Sequence, residues 1–193
     1  MRTTKNNYKI ADDFTKKCEN FTKLILSYNK IHNITGAKDA QSIRANIEDS
    51  IYPIQFLPPL IKRAIDVGSG AGFPGLILAM ALPQIHFSLF EPIKKKSAFL
   101  HLAKTSLYLK NIDIISQRVE AVEPFEADLV CSRAVTKTEI LLKLCRHFIS
   151  SKTTLLFYKG TRVKEEIKDL KNYRIYENGN RNYLFMKPGG NFK

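Results

Sequence analysis

Four of the nine glycines of the chain stand close together, at Gly68, Gly70, Gly72 and Gly75, in the stretch DVGSGAGFPG that begins at Asp66. Glycines at this density clear side chains from a place where a ligand must approach the main chain. In a turn between a strand and a helix, the exposed amide N–H groups then face a nucleotide-like group. The dinucleotide fingerprint G-x-G-x-x-G would want its third glycine at position 73, where Phe73 stands. The pattern present is D-x-G-x-G-x-G, running from Asp66 through Gly68 and Gly70 to Gly72. A second carboxylate, Glu91, closes the next apolar run, HFSLF. An acidic side chain at the tip of a neighbouring strand can accept hydrogen bonds from both hydroxyls of a ribose, and its distance from the glycines suits either an adenosyl or a nicotinamide cofactor.

Three kinds of cation accompany these residues. Lys94, Lys95 and Lys96 follow Glu91 where a helix should start. A helix N-terminus disfavours positive charge, so such a run beside a ligand site points to phosphate contact. Arg133 lies just past the apolar run DLVC and Lys159 at the end of TLLFYK, both at strand ends where ligands of an open sheet bind. Either could touch cofactor, base or phosphate.

The elements that must position these groups fall into two parts. Apolar residues at Ile10, Phe14, Cys18, Phe21, Leu24, Ile25, Tyr28 and Ile31 recur at steps of three and four, which predicts an amphipathic helix that stops near HNITG. A second helix is expected from about Asp39, closed by Pro53, Pro58 and Pro59. Beyond Lys62, the short runs RAIDV, IHFSLF, IDIIS, ADLVCS and TLLFYK alternate with helical segments, the pattern of a parallel sheet with helices on both faces. The segment YRIYENGNRNYLFMK reads as a β-hairpin around Asn178, Gly179 and Asn180. The expected fold is α/β and Rossmann-like, a mostly parallel seven-stranded sheet closed by an antiparallel hairpin. We divide the chain into a helical extension over 1–60 and a cofactor-binding unit over 61–193.

Charge and composition bound the partners. Thirty-one Lys and Arg oppose 18 Asp and Glu, a net charge of +13 that favours a nucleic acid. MRTTKNNYKI lacks the apolar core of a signal peptide, and the longest apolar run, Leu76 to Leu82, is far short of a membrane span. We therefore expect a cytoplasmic protein without membrane contact, and a monomer. Cys18, Cys131 and Cys145 are scattered and form no C-x-x-C pair, and His32, His86, His101 and His147 show no ligand spacing, so no metal is expected.

The D-x-G-x-G-x-G loop resembles the cofactor loop of S-adenosylmethionine-dependent methyltransferases, in which the acidic residue faces the methionine portion. More specifically, NIT at 33–35, EDSI at 48–51, the loop DVGSGAGFPG, KKKSAFL at 94–100, SQRVE at 116–120, SRA at 132–134 and YKG at 158–160 together resemble one family. It is the guanine-N7 methyltransferases of bacterial small-subunit ribosomal RNA, historically called glucose-inhibited division protein B. The resemblance implies S-adenosylmethionine as cofactor, with contacts from Gly68, Phe73, Val119, Glu120 and Arg133. It also implies a substrate in the decoding-region loop of 16S-type RNA or in the small subunit. One departure is Asn46, where the family commonly has histidine. Because N7 of guanine carries a lone pair and no proton, the chemistry needs positioning rather than a general base. Two rivals stand beside this reading: a nicotinamide-dependent oxidoreductase, and an RNA-binding assembly factor that kept the fold without the chemistry.

Overall fold

A computed structural model describes residues 8–168 and 170–188. The ends of the two expected units, 1–7 and 189–193, lie outside the described residues.

Helices α1 (Phe14–His32) and α2 (Ala40–Ile51) precede the first strand. Helix α1 begins four residues later than the apolar stripe suggests, because Ala11 N–H is tied to Ala81 O (3.0 Å) and holds Ile10 and Ala11 out of the helix. It ends as expected at Asn33, which takes the left-handed conformation (φ 45°) that asparagine tolerates at a helix C-terminus. Asp39 caps α2 by accepting from Ser42 N–H.

The remainder alternates: β1 (Arg63–Val67), α3 (Gly75–Ala81), β2 (His86–Phe90), α4 (Lys94–Ser106), β3 (Ile112–Ile115), β4 (Leu129–Arg133), α5 (Thr138–Cys145), β5 (Thr154–Lys159), α6 (Val163–Glu166), then β6 (Tyr173–Asn178) and β7 (Arg181–Met186). The seven strands lie in the order β3-β2-β1-β4-β5-β7-β6. The first five pair in parallel, and β7 inserts antiparallel between β5 and β6. Central strands read as unbroken apolar runs because both faces are covered: Ile65, Leu129, Val130, Leu155 and Leu156 are fully buried. Helix α1 belongs to the same core, for Phe21 packs edge-on against Phe73 (5.5 Å between centroids) and beside Phe99 (6.0 Å). No helix among the described residues is long and apolar enough to cross a membrane.

This strand order sends the chain outward from β1 to β3 and then back across to β4. The reversal opens a crevice at the carboxyl ends of β1 and β4, the place where open α/β sheets bind ligands.

Candidate cofactor and substrate cleft

The glycine loop lies at that crevice, and its glycines have different tasks. Gly68, Gly70 and Gly72 all have positive φ (72°, 60° and 97°), so each turn of the loop uses backbone angles that L side chains resist. A β-carbon on Gly72 would meet Leu76 Cβ at 3.1 Å, inside the core, whereas one on Gly70 would find only Gly68 O, at 3.8 Å. The space above Gly70 is the cleft itself.

The cleft encloses about 430 Å³ and has four walls. Gly68 to Ala71 form its floor, with Phe73 beside them; Glu91, Ile93 and Lys96 form one side, and Arg133 to Val135 the other. Ile34 and Thr35, from the segment after α1, close it. That segment is fixed by Asn29, whose Oδ1 accepts from Ile34 N–H (2.7 Å) and Thr35 N–H (2.9 Å) while Nδ2 donates to Thr35 O (3.0 Å). Asn29 carries no motif and is invisible to spacing.

Glu91 is 3 % exposed. Its Oε2 accepts from Gly70 N–H (2.7 Å) and its Oε1 from Ile93 N–H (2.8 Å), so the carboxylate is locked to both the floor and the side of the cleft. Each carboxylate oxygen has a second lone pair, which leaves acceptors for a ribose diol. The open position over Gly70 and these acceptors at its edge fit an adenosyl group.

Arg133 stands across the cleft with its guanidinium 4.8 Å from the centre of the Phe73 ring. Nη1 donates to Asn46 Oδ1 (2.9 Å) and Asp49 Oδ2 (3.1 Å). Asp49 also accepts from Tyr183 O–H (2.9 Å), so α2, β4 and β7 meet at one buried carboxylate. Asn46 thus serves as an acceptor for Arg133, a role its amide oxygen fills. Asp49 falls in the EDSI segment, yet only the structure reveals it as the partner of Arg133.

Several residues singled out by sequence lie elsewhere. Asp66 is fully buried beneath the loop and accepts from Gly75 N–H (3.0 Å), so it organises the loop and does not line the cleft. Val119 is buried in the core on the far side of the sheet from α1, and Glu120 is exposed opposite Arg118 (4.0 Å); neither lines the cleft. The three lysines at the start of α4 separate. Lys94 is exposed, Lys96 lines the cleft, and Lys95 Nζ donates to His32 O (2.9 Å) and Asn33 O (3.3 Å), where it caps the C-terminus of α1. Lys159 is paired with Glu166 (2.7 Å) and does not reach the cleft.

Burial raises the Asp66 carboxyl from 3.8 to about 6, against the opposing effect of the Gly75 N–H bond. A group whose folded-state pKa is raised supports stability fully below its unfolded value, and that contribution is lost as pH rises through the folded one. Asp66→Asn keeps an acceptor for Gly75 and removes the titration. The unfolding free energy of the variant, measured in urea, is expected to gain on the wild type by about 2.4 kcal/mol between pH 4 and 7. A constant difference across that range would show that Asp66 ionises without penalty.

Comparison with known proteins agrees with this geometry. The family model described as "rRNA small subunit methyltransferase G" matches residues 15–187. Ribosomal RNA small subunit methyltransferase G of Wolinella succinogenes is 48% identical over 176 residues, covering 91% of each chain. Its counterpart in Campylobacter fetus is 43% identical over 179 residues, covering 92% of this chain and 97% of the relative. Among solved structures, a putative S-adenosyl-L-methionine-dependent methyltransferase of Methanococcus maripaludis shares the fold with a TM-score of 0.62 at 12% identity, covering 94% of this chain and 97% of that one. A mutant of MtNAS in complex with S-adenosylmethionine has a TM-score of 0.60, also at 12% identity, covering 90% of this chain and 75% of that one. With a matching family model over most of its length and relatives this similar, the chain belongs to the rRNA small subunit methyltransferase G family.

Proposed function

We propose that the protein transfers a methyl group from S-adenosylmethionine to N7 of a guanine in small-subunit ribosomal RNA. Membership of the family supplies the methyltransferase activity and the class of RNA, and sets aside the nicotinamide reading. The observation that carries the cofactor is the locked pair of Gly70 N–H and Glu91 at the edge of the switch-point cleft. When bound, the cofactor supplies a methyl carbon made electrophilic by its sulfonium.

The residues around it act by positioning. Glu91 orients the ribose, and the glycine floor admits the nucleoside against the main chain. Arg133, held by Asn46 and Asp49, presents a fixed cation at the opposite wall. Among the described lining residues the ionisable side chains are Glu91, Lys96 and Arg133. Glu91 is engaged by two backbone amides, Arg133 by Asn46 and Asp49, and Lys96 is assigned to phosphate contact, so none is placed as a general base. This supports an acceptor such as N7, which has no proton to lose. Lys94 and Lys96 offer contacts to RNA phosphates at the rim, and the decoding-region loop suits a site that must receive an unpaired base. The helical extension (1–60) serves the same cleft as the cofactor-binding unit (61–193), since it contributes Ile34, Thr35 and the Asn46–Asp49 brace. We take the working form to be a cytoplasmic monomer.

The test is to incubate the protein with labelled S-adenosylmethionine and small-subunit RNA or particles lacking their native methyl groups. An N7-methylated guanine is cationic, so the labelled strand is expected to break at one site after mild reduction and aniline treatment. A methyl group recovered on a ribose oxygen or an exocyclic amine would overturn the N7 assignment, because either route requires a proton to leave. An unlabelled product with cofactor bound would favour an assembly factor without the chemistry.

A further inference from the structure

Between β4 and α5 the chain makes a short connection that forms one wall of the cleft. Arg133 pairs in register with Tyr158 of β5, which brings the next residue of β5, Lys159, beneath this connection. Ala134 has φ 55°, a left-handed angle that its side chain disfavours. The kink turns Val135 back over the glycine loop, where its Cγ2 occupies the place a β-carbon on Gly68 would take. Val135 is nevertheless 42% exposed, so packing alone does not hold it there.

What holds the connection is a pair of charges behind it. Lys159 Nζ donates to Thr136 O (3.1 Å) and to Glu166 Oε1 (2.7 Å), and Glu166 Oε1 also accepts from Thr138 N–H, at the first residue of α5. Helix α5 has no capping side chain of its own at Lys137. Glu166 therefore takes the place of the cap. It is the last residue of the single turn α6, which begins three residues after the YKG segment. Cation meets carbonyl and anion meets amide, and the two charges bind each other. Both side chains are largely covered, at 11% and 23% exposure.

We infer that Lys159 and Glu166 are positioning residues that grip the β4–α5 connection by its backbone dipoles and thereby set Val135 as a wall of the cleft. The inference rests on the reading of that cleft as the cofactor site. It makes the signs of the two charges matter individually, which an ordinary surface ion pair does not require.

The first variants are Lys159→Met and the milder Glu166→Gln, which keeps an acceptor oxygen. Amide exchange at Thr138, measured without cofactor, is expected to accelerate in both. Calorimetry is expected to show S-adenosylmethionine binding weakened about tenfold in Lys159→Met, the scale of one lost charge-assisted hydrogen bond. The loss should appear in KM for the cofactor, with kcat at saturation changed much less. The decisive variant is the swap, Lys159→Glu with Glu166→Lys. It retains an ion pair but sets a carboxylate against Thr136 O and an ammonium against Thr138 N–H. Cofactor binding should remain weak in the swap even where thermal stability returns. Recovery of cofactor affinity in the swap would reduce the pair to a structural ion pair and overturn the inference. So would Lys159→Met with unchanged Thr138 exchange and cofactor affinity but weaker RNA binding, which would make Lys159 an RNA contact. Failure of the wild type to bind S-adenosylmethionine would instead defeat the proposed function, while Thr138 exchange would still decide the clamp.

Discussion

Gly70→Val is expected to abolish S-adenosylmethionine binding in a protein that still folds. The position has φ 60°, and a β-branched residue held there costs about 1–3 kcal/mol in backbone strain. The new side chain meets no packed neighbour, because the nearest atom to a β-carbon is Gly68 O at 3.8 Å, so it projects into the cleft and fills the room left for the ligand. Relaxing the strain would move the Gly70 N–H away from Glu91 Oε2, now 2.7 Å off, and free the carboxylate proposed to orient the ribose. Steric exclusion and loss of the oriented acceptor act together. Calorimetric affinity is expected to fall by more than about a hundredfold, equivalent to more than about 2.7 kcal/mol, while the melting temperature drops by roughly 2–12 °C. Unchanged affinity in a folded Gly70→Val protein would remove the loop from the site.

The contrast among the glycines shows what the sequence could and could not convey. Spacing identified a turn between a strand and a helix, and the burial of β1 and β4 on both faces made their apolar runs legible. Spacing does not say which way an absent β-carbon would point. Gly70 looks into the cleft, Gly72 toward Leu76, Gly68 toward Val135 and Gly75 toward Asp66, although all four sit in one motif. The lysine run was blurred for a related reason. Lys95 caps α1 through His32 and Asn33, partners more than sixty positions away in the chain, so only the packing of α1 on α4 reveals that it is engaged. Asp49 and Arg133 are separated still further, by 84 positions, and the brace they form exists only once α2 lies across the end of β4. Acidic and glycine residues at strand ends can be located from a pattern; the partners that fix them cannot, because those contacts are made by the tertiary fold.

Gly75→Ala is expected to destabilise the protein by about 3 kcal/mol or more, although the change adds one methyl group. A β-carbon at this position would lie 2.5 Å from Asp66 Cβ and 2.7 Å from Asp66 Cγ, and closer still to a carboxylate oxygen. Neither partner can give way easily. Asp66 is fully buried in β1, which pairs on both sides with β2 and β4, and Gly75 opens α3, a helix whose seven residues are all buried. Rotating the Asp66 side chain would move the carboxyl group but not Cβ, and it would break the bond from Gly75 N–H (3.0 Å), leaving less support for a carboxylate that burial already disfavours. Moving α3 would instead displace Phe73 and the floor of the cleft. For a chain of this size the melting temperature should fall by roughly 6–12 °C. A double-mutant cycle assigns the cause: Asp66→Gly, which removes Cβ with the carboxyl, costs stability alone, but combined with Gly75→Ala it should cost less than the two separately, because the added methyl then has space. Strict additivity, or a Gly75→Ala protein that melts within about two degrees of the wild type, would mean that the helix start has more freedom than this packing allows.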